Sequence, residues 1–365
     1  MQAKWELQEL KTIQADPQVL LARFTPCGKY LLAASYDARV RRWDVAGDEP
    51  VELEAIGGHG GWVTAIASSA AGEWLFSGDS WGRLRCGAYG GPTAAAAKWT
   101  LEAAHDGWLR DIAVSPDGKR AATCGIDKRV RIWSAEDGAK QLDFAVGEGP
   151  EFEPRNGSLD GDVACLRFTA DGQGLITADL KGQIRIWDLQ GPPRVVRSFD
   201  AGSLFKLDRL QDVGGVRCLT VDGESKWLAA GGTAPKNGGT VVGIPTALLF
   251  DYATGELKQT FTYGQPNDCF VSDLAFHPRG YLLATTNGTP GSGQLIVQPL
   301  SETQPLFVTK KMVNCQSVAV HPDGARLAVA ATNAGSNGNG RPLTKDGAYA
   351  TNKSPIVLWK LPTVS

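Results

Sequence analysis

Four histidines limit the acid–base and metal chemistry open to this chain. His277 and His321 each precede a proline, in the segments HPRG and HPDG. Segments of this kind are typical of turns, so a structural place is expected for both. Only His59 and His105 then remain as candidates for a general base or a metal ligand.

Phosphate and metal sites have only weak sequence signals. Two glycine-rich runs, GSGQ and GSNGNG, superficially look like phosphate loops, but neither joins a strand to a helix followed by Lys-Ser or Lys-Thr. One acidic stretch could bind calcium but lacks EF-hand spacing. Its carboxylates are Glu148, Glu151, Glu153, Asp160 and Asp162. A solvated acidic loop is the favoured reading, and we predict no metal and no cofactor.

The cysteines point to a reducing compartment. There are seven, no two closer than 38 residues, and none forms a CxxC pair. They are Cys27, Cys86, Cys124, Cys165, Cys218, Cys269 and Cys315. Several stand inside apolar stretches such as DVACLRF, so we expect small buried side chains in a cytoplasmic protein.

Composition excludes several classes of function. The net charge of -2 gives none of the basic excess that a dedicated nucleic-acid binder needs. The N-terminal segment has no run of 7 to 15 apolar residues, and no later segment reaches the length of a membrane helix. With 42% hydrophobic residues, the 365-residue chain can bury a large core, and its length favours a repeat array. We predict no nucleic-acid partner and no membrane partner.

A hairpin motif recurs seven times, with an apolar strand, a turn rich in Pro, Asp and Gly, and a second apolar strand. Clear examples are AVSPDGKRAATCG and AVHPDGARLAVAA. The glycine of each turn should adopt positive φ. These glycines, spaced 44 to 57 residues apart, are Gly28, Gly72, Gly118, Gly172, Gly223, Gly280 and Gly324.

A third strand follows each hairpin, most clearly in ARVRRWDV, KRVRIWSA and GQIRIWDL. One position of this strand is shared by Trp43, Gly87, Trp133, Trp187, Phe250, Gln298 and Trp359. A more polar fourth strand follows most of them. Seven units of four strands predict an all-β fold, a seven-bladed β-propeller of antiparallel blades.

These repeats resemble those of the WD40 family, and the likeness extends from Trp5 to Leu361. The WD dipeptide stands at Trp43-Asp44 and Trp187-Asp188. The resemblance implies that His59 and His105 occupy the structural GH position, which leaves no histidine for catalysis. We therefore expect no Ser/His/Asp site. The turns HPDG and SPDG also suggest a bacterial origin.

The resemblance further implies a buried hydrogen-bonded tetrad in the third repeat, formed by His105, Thr123, Asp127 and Trp133. The second repeat keeps His59 and Ser77. It has Trp81 where the family has aspartate. The fourth repeat has Lys181 at that position.

The ends of the chain predict ring closure. The last repeat stops after three strands, whereas a spare strand at about residues 5–13 precedes the first repeat. Pairing the two removes both open sheet edges. We expect residues 1–365 to form one propeller domain.

Long insertions should lie on one face, called the top, where the turns between second and third strands meet the connections between blades. They are Gly147 to Asp162, Ala201 to Gly214, Gly231 to Pro245, Asn287 to Gly293 and Thr332 to Pro355. Long loops concentrated on one face favour function. Tolerated drift in exposed loops is the alternative.

Aromatic residues fall on the same face. Aligned repeats place one residue of each blade just before its first strand: Gln18, Trp62, Trp108, Asp162, Val213, Phe270 and Asn314. Trp81 belongs to a neighbouring top turn. Exposed tryptophans of this kind suit a binding surface, although they would also suit a cap over the core. Arg110 and Lys181 lie nearby and suit an acidic partner.

The sequence therefore predicts a non-enzymatic, cytoplasmic scaffold that binds a protein or peptide on its top face. The partner-binding candidates are Trp62, Trp81, Trp108, Phe270, Lys181 and Arg110. We expect a monomer or one subunit of a larger complex. The alternative is a lactonase-like enzyme or small-molecule binder, which would need carboxylates and a metal in the central channel.

Overall fold

The computed structural model describes residues 5–146, 162–208, 211–235, 243–266, 269–288, 291–332 and 353–362. Its strands form seven four-stranded antiparallel blades in a ring, so the predicted β-propeller is confirmed. The first strand of each blade contacts the first strands of both neighbouring blades around a central channel. Among the described residues, no helix has the length and apolar character needed to cross a membrane.

The first strand of the chain, β1 (Gln8–Ala15), belongs to the last blade. Blades 1 to 3 then follow in chain order, innermost strand first. Their strands are β2 (Val19–Phe24), β3 (Tyr30–Ser35), β4 (Val40–Asp44), β5 (Val51–Ile56), β6 (Val63–Ser68), β7 (Trp74–Asp79), β8 (Leu84–Ala88), β9 (Ala97–Leu101), β10 (Leu109–Val114), β11 (Arg120–Gly125), β12 (Arg129–Ser134) and β13 (Lys140–Ala145).

Blades 4 and 5 are separated by a short 3-10 turn, Gly202–Leu204, and an additional hairpin. Blade 4 has β14 (Val163–Phe168), β15 (Gly174–Asp179), β16 (Gln183–Asp188) and β17 (Arg194–Asp200). The hairpin has β18 (Phe205–Asp208) and β19 (Gln211–Gly214). Blade 5 has β20 (Val216–Val221), β21 (Trp227–Pro235), β22 (Gly243–Asp251) and β23 (Leu257–Thr262).

Blades 6 and 7 complete the ring. Blade 6 has β24 (Phe270–His277), β25 (Tyr281–Asn287), β26 (Gly293–Pro299) and β27 (Phe307–Thr309). Blade 7 has β28 (Cys315–Val320), β29 (Arg326–Ala331) and β30 (Ser354–Lys360) from the end of the chain.

Ring closure occurs as predicted, because β1 pairs antiparallel with β30 as the outermost strand of blade 7. The strand runs from Gln8 to Ala15 rather than from about residue 5 to 13. Trp5, ahead of it, packs edge-to-face on Tyr281 of blade 6. The closing strand thus occupies the outer edge of β30.

Burial explains the apolar second strands. In β3, β11 and β15 nearly every residue is buried, because such a strand has neighbours on both edges and a blade on each face. The outer strands alternate between exposed and half-buried residues, as in β5. The core therefore consists of layers between adjacent blades.

The shared third-strand position is confirmed by the register. Trp43 lies opposite Leu31, Trp133 opposite Ala121 and Phe250 opposite Leu228. In the other four blades the residue at this position lies opposite a leucine of the second strand; the residues are Gly87, Trp187, Gln298 and Trp359.

In six repeats the turn glycine has positive φ, which confirms the prediction for those turns. In blade 5 the prediction was wrong, because Ser225 (φ 53°) takes that place. The Ser225 amide donates to Asp222 O, as the Gly118 amide donates to Ser115 O in blade 3. Gly223 therefore lies two residues earlier in the turn than its supposed equivalents.

One cysteine also departs from expectation. Six of the seven cysteines are buried, but Cys27 is exposed. It takes the third place of a Thr-Pro-Cys-Gly turn, where Asp117 stands in blade 3. Its Sγ lies 3.3 Å from the Thr25 hydroxyl, as the Asp117 carboxylate accepts from the Ser115 hydroxyl.

A buried hydrogen-bonded network joins four side chains of blade 3. The Trp133 indole donates to Thr123 Oγ1 at 2.8 Å, and the Thr123 hydroxyl lies 2.7 Å from His105 Nε2. On the other side of the ring, His105 Nδ1 lies 2.9 Å from Asp127 Oδ1. We assign the imidazole proton to Nδ1, so that Nε2 accepts from the hydroxyl and every group is satisfied.

Blade 2 builds the same arrangement with a different aspartate. His59 contacts Ser77 Oγ at 2.8 Å and Asp79 Oδ2 at 3.1 Å. The side chain of Trp81, at the aligned position, takes no part in this network, although its amide donates to Asp79. Asp79 stands where blade 3 has Gly125, whose added Cβ would lie 2.7 Å from His105 Nδ1. A side chain at this position therefore reaches the histidine directly, and sequence alignment by position missed it.

The histidine–aspartate pairs have shifted ionisation. Burial lowers the pKa of His59 and of His105, against the opposing effect of the paired carboxylates. Burial alone would raise the pKa of Asp79, but hydrogen bonds from His59 and from backbone amides outweigh it and lower the pKa to about 2. Both histidines are therefore neutral and both aspartates ionised near pH 7.

We predict that Thr123→Val destabilises the protein by about 2–4 kcal/mol, because it leaves the buried Trp133 donor and the buried His105 acceptor without partners. Urea unfolding followed by circular dichroism measures this. The matched control is Thr100→Val on the exposed side of β9, with an expected change within about 0.5 kcal/mol. Equal effects of the two substitutions would contradict the network's role.

We also predict that stability falls as the pH drops from 7.5 to 5.5. A histidine whose pKa is lowered by folding is protonated near pH 6.5 in the unfolded chain but only at lower pH in the folded protein. Acidification therefore stabilises the unfolded state relative to the folded state and lowers the free energy of unfolding. The double variant His59→Gln/His105→Gln should show a flatter decline of the free energy of unfolding over this interval. Parallel profiles for variant and wild type would be inconsistent with this assignment.

Candidate functional site

A row of aromatic rings lies on the top face across the first three blades. Tyr36 of blade 1 stacks on Trp62 of blade 2, with ring centroids 4.5 Å apart. Trp62 in turn meets Trp108 of blade 3 edge-to-face at 5.7 Å. Trp62 and Trp108 are nevertheless 41% and 38% exposed. The row is thus ordered by its own contacts and still open to solvent.

Strand ends fix the position of each ring. Trp62 and Trp108 directly precede the innermost strands β6 and β10. Their carbonyls accept the amides of Ser80 and Ile126 in the top turns of the same blades. Tyr36 is in the equivalent turn of blade 1, where its amide donates to Gln18 O. Sequence analysis did not single out Tyr36, because its contact with Trp62 crosses between blades.

Trp81 is the most exposed of the large apolar side chains, at 72%. Its amide donates to Asp79 Oδ1, which anchors the turn beneath it. The ring packs on the backbone of Gly61, where an added Cβ would lie 2.6 Å from Trp81 Cδ1. Ile126, also exposed, packs in the same way over Gly107. We call Tyr36, Trp62, Trp81, Trp108 and Ile126 the top-face platform.

The predicted alignment of the top rim needs one correction. Val216 in blade 5 pairs with Gly232 as Leu109 in blade 3 pairs with Gly125. The residue that precedes the inner strand of blade 5 is therefore Gly215, and Val213 belongs to the hairpin strand β19. The error has the same origin as the misplaced Gly223, since the turn was used to set the register.

Every innermost strand carries a β-bulge at its top end, which adds one residue at the mouth of the central channel. The seven bulge residues are Leu20, Thr64, Arg110, Ala164, Arg217, Ser272 and Gln316. Two of them are arginines and none is acidic. The bulges therefore place positive charge at the channel mouth.

Both arginines are exposed, and each has one described partner. Arg110 Nη2 lies 3.6 Å from Asp162 Oδ2. The Arg217 guanidinium lies 4.4 Å above the Phe270 ring. Although the Arg217 side chain is accessible to solvent, desolvation by the surrounding residues, and secondly the positive charge of Arg110, lower its pKa. The two charges thus act on each other across blade 4.

The channel itself holds two carboxylates, Asp111 and Asp273, at equivalent positions of blades 3 and 6. Asp111 Oδ2 accepts the Leu166 amide at 3.0 Å and pairs with Arg167 Nη1 at 2.7 Å. Asp273 Oδ2 accepts the Val318 amide at 3.0 Å and pairs with Arg23 Nη1 at 2.9 Å.

A cavity of about 380 Å³ opens lower in the channel, lined by residues of the first four blades, among them Arg23, Asp111 and Arg167. Its charged lining residues are Arg23, Asp111 and Arg167, which are engaged in the ion pairs described above. In the described residues no three His, Cys, Asp or Glu side chains converge as a metal site.

The remaining histidines tie blades together at the bottom face. His277 Nε2 donates to Gly324 O at 2.8 Å, and His321 Nε2 donates to Gly28 O at 2.9 Å. Each bond runs from one blade to the turn of the next. Burial also lowers the pKa of His277.

The segment from Gly78 to Gly82 fits the nucleophile pattern GxSxG, which the expectation of no Ser/His/Asp site overlooked. The segment joins two strands rather than a strand and a helix. Ser80 is buried, and its Oγ accepts the Trp62 amide. Ser77, His59 and Asp79 have the connectivity of a hydrolase triad, but the side chains of His59 and Asp79 are 0% exposed. The trio holds the blade together instead.

The predicted insertions are partly described. The segment Ala201 to Gly214 contains an ordered hairpin, and β21 and β22 extend the blade 5 hairpin to Pro235 and Gly243. The hairpin β18–β19 contacts β21 of blade 5. Lys181 lies in the top turn of blade 4, where its amide donates to Asp179 Oδ1.

Several sequence predictions concern residues outside those described. They are the acidic residues Glu148, Glu151, Glu153 and Asp160, most of the segment Gly147 to Asp162, residues 236–242 and 289–290, and most of the segment Thr332 to Pro355.

The chain matches the family model "WD domain, G-beta repeat" at residues 8–44, 51–86, 98–134 and 155–188. It is similar to Actin-interacting protein 1 of Drosophila melanogaster, 25% identical over 284 residues, which are 74% of this chain and 44% of the relative. It is also 25% identical to the Ribosome biogenesis protein WDR12 homolog of Drosophila virilis, over 45% of this chain and 40% of the relative.

A third relative is the Target of rapamycin complex subunit wat1 of Schizosaccharomyces pombe, 25% identical over 48% of this chain and 51% of the relative. The chain thus spans about half or less of the length of these relatives. All three are eukaryotic, and the suggested bacterial origin stays a prediction. The chain is a seven-bladed β-propeller, and four of its repeats match the WD40 repeat model.

Proposed function

We propose that this chain is a non-enzymatic cytoplasmic scaffold that binds a protein or peptide on its top face. The observation that carries the proposal is the top-face platform: Tyr36, Trp62 and Trp108 of three blades form one row of ring contacts, and the exposed Trp81 packs on Gly61 beside Trp62. Contiguous apolar patches on soluble proteins commonly mark interaction sites.

The platform has the physical properties of a binding hot spot. A tryptophan ring buries a large area on binding and loses few rotatable bonds. Here Trp62 is already held between Tyr36 and Trp108. A partner therefore meets a surface that needs little ordering, which lowers the entropic cost of association.

The alternative function, a lactonase-like enzyme or small-molecule binder, has less support. It requires channel carboxylates free to hold a metal or a substrate. Asp111 and Asp273 each accept a backbone amide of the next blade, and each pairs with an arginine, Arg167 of blade 4 and Arg23 of blade 1 respectively. Their chemistry is used to join blades.

The names of the relatives agree with a scaffold at a coarse level. One is named for interacting with actin and another as a subunit of a complex. Shared identity of 25% does not carry their partners over to this chain. The seven cysteines form no disulfide, which supports the cytoplasmic assignment because thiols persist in a reducing compartment.

We predict that Trp62→Ala/Trp108→Ala lowers the recovery of specific partners at least tenfold, since truncating a hot-spot residue costs about 2 kcal/mol or more. Quantitative affinity capture from the native host's lysate measures the recovery, with folding verified by circular dichroism. The control Leu257→Ala/Val308→Ala removes two exposed apolar side chains from the outer strands of blades 5 and 6. It should capture the same proteins as wild type. Identical catches for all three forms would refute the platform as the binding surface.

A further inference from the structure

The charges at the channel mouth indicate what kind of partner the top face would take. Arg110 follows Trp108 by two residues, so its positive charge adjoins the platform. Arg217 occupies the equivalent bulge position two blades away, and both arginine side chains are exposed. The mouth therefore concentrates positive charge beside an apolar surface.

Neither arginine has a close ionic partner among the described residues. Arg110 and Asp162 are 3.6 Å apart, with both side chains about one-third exposed, so that pair is weak and solvated. Arg217 contacts a phenyl ring and no described carboxylate. By contrast, Arg23 and Arg167 lower in the channel each donate to an aspartate at less than 3 Å.

Arg23 and Arg167 inside the channel thus have different contacts from Arg110 and Arg217 at its mouth. Those inside the channel are neutralised and connect blades. Those at the mouth sit on bulge residues that no ladder hydrogen bond requires, and both side chains are exposed. Two guanidinium groups at one opening, one only weakly paired with Asp162 and one stacked on Phe270, attract a carboxylate more strongly than an isolated surface arginine does.

We infer that the partner presents an acidic peptide segment, with carboxylates at Arg110 and Arg217 and apolar side chains on the platform. This inference rests on the proposed function and names the chemistry of its ligand. A peptide is favoured over RNA because the net charge is -2 and only two of the seven bulge residues are basic. A nucleic acid needs a basic track along its backbone.

The first test selects a displayed library of random 12-residue peptides on the full-length protein. We expect Asp and Glu to be enriched at least threefold over the input library, beside apolar residues. Arg110→Met/Arg217→Met should abolish the acidic enrichment. The control Arg194→Met/Lys119→Met removes the same charge from an outer strand and a bottom turn, where both side chains are exposed, and should preserve it.

The second test measures binding of one selected peptide, labelled with fluorescein, by anisotropy. Replacing its Asp and Glu by Asn and Gln should weaken binding to wild type at least tenfold, and the arginine double variant should bind both forms equally weakly. Raising NaCl from 50 to 500 mM should weaken only the acidic form. Arg217→Lys, which keeps the charge, should retain the preference for the acidic form.

Neutral or basic enriched peptides would overturn the inference, as would acidic binding that survives loss of both arginines. A 12-nucleotide oligouridylate that binds as tightly as the acidic peptide would overturn it in favour of RNA. The proposed function fails separately, if Trp62→Ala/Trp108→Ala leaves peptide binding unchanged. If peptide binding is lost in the tryptophan variant but intact in the arginine variant, the platform is supported as the binding surface and the acidic ligand is rejected.

Discussion

The inner edges of the seven blades impose the central constraint on this fold. Each innermost strand has one edge toward the channel, where no further strand can pair with its amides. Side chains of the preceding blade supply partners instead. Asp111 accepts the Leu166 amide, Asp273 the Val318 amide, and Ser317 Oγ the Ala22 amide. These bonds connect blades 3 to 4, 6 to 7 and 7 to 1, so the same atoms satisfy the open edges and lock the ring.

This constraint separates the structural part of the molecule from the part available to partners. The channel carboxylates and their arginines are engaged between blades, and the bottom turns are joined by His277 and His321. The top face is different, because the bulges and blade connections there add residues that no ladder needs. Tyr36, Trp62 and Trp108 meet on this face, and Arg110 and Arg217 surround the mouth.

Two sequence predictions failed for one reason, namely that equal positions were assumed to have equal roles. In blade 5, Ser225 stands where the other blades have glycine in the turn. The alignment used Gly223 instead, and it therefore predicted Val213 rather than Gly215 as the rim residue. In blade 2 the carboxylate comes from Asp79, two residues before the aligned Trp81. Blades 2 and 3 both maintain a carboxylate at the histidine, and every blade maintains a left-handed residue in the hairpin turn. More than one spacing satisfies each geometry.

The sequence by itself determined the seven repeats, the strand order, the third-strand register and the closing N-terminal strand, because these follow from local periodicity and turn chemistry. It also indicated Trp62, Trp81 and Trp108 as top-face residues. Only the tertiary structure decided that Tyr36 joins their row, that Asp79 reaches His59 and that Arg110 and Arg217 share one opening. Such contacts join residues from different strands and blades, and their distances depend on how neighbouring sheets pack, which no local pattern of residues encodes.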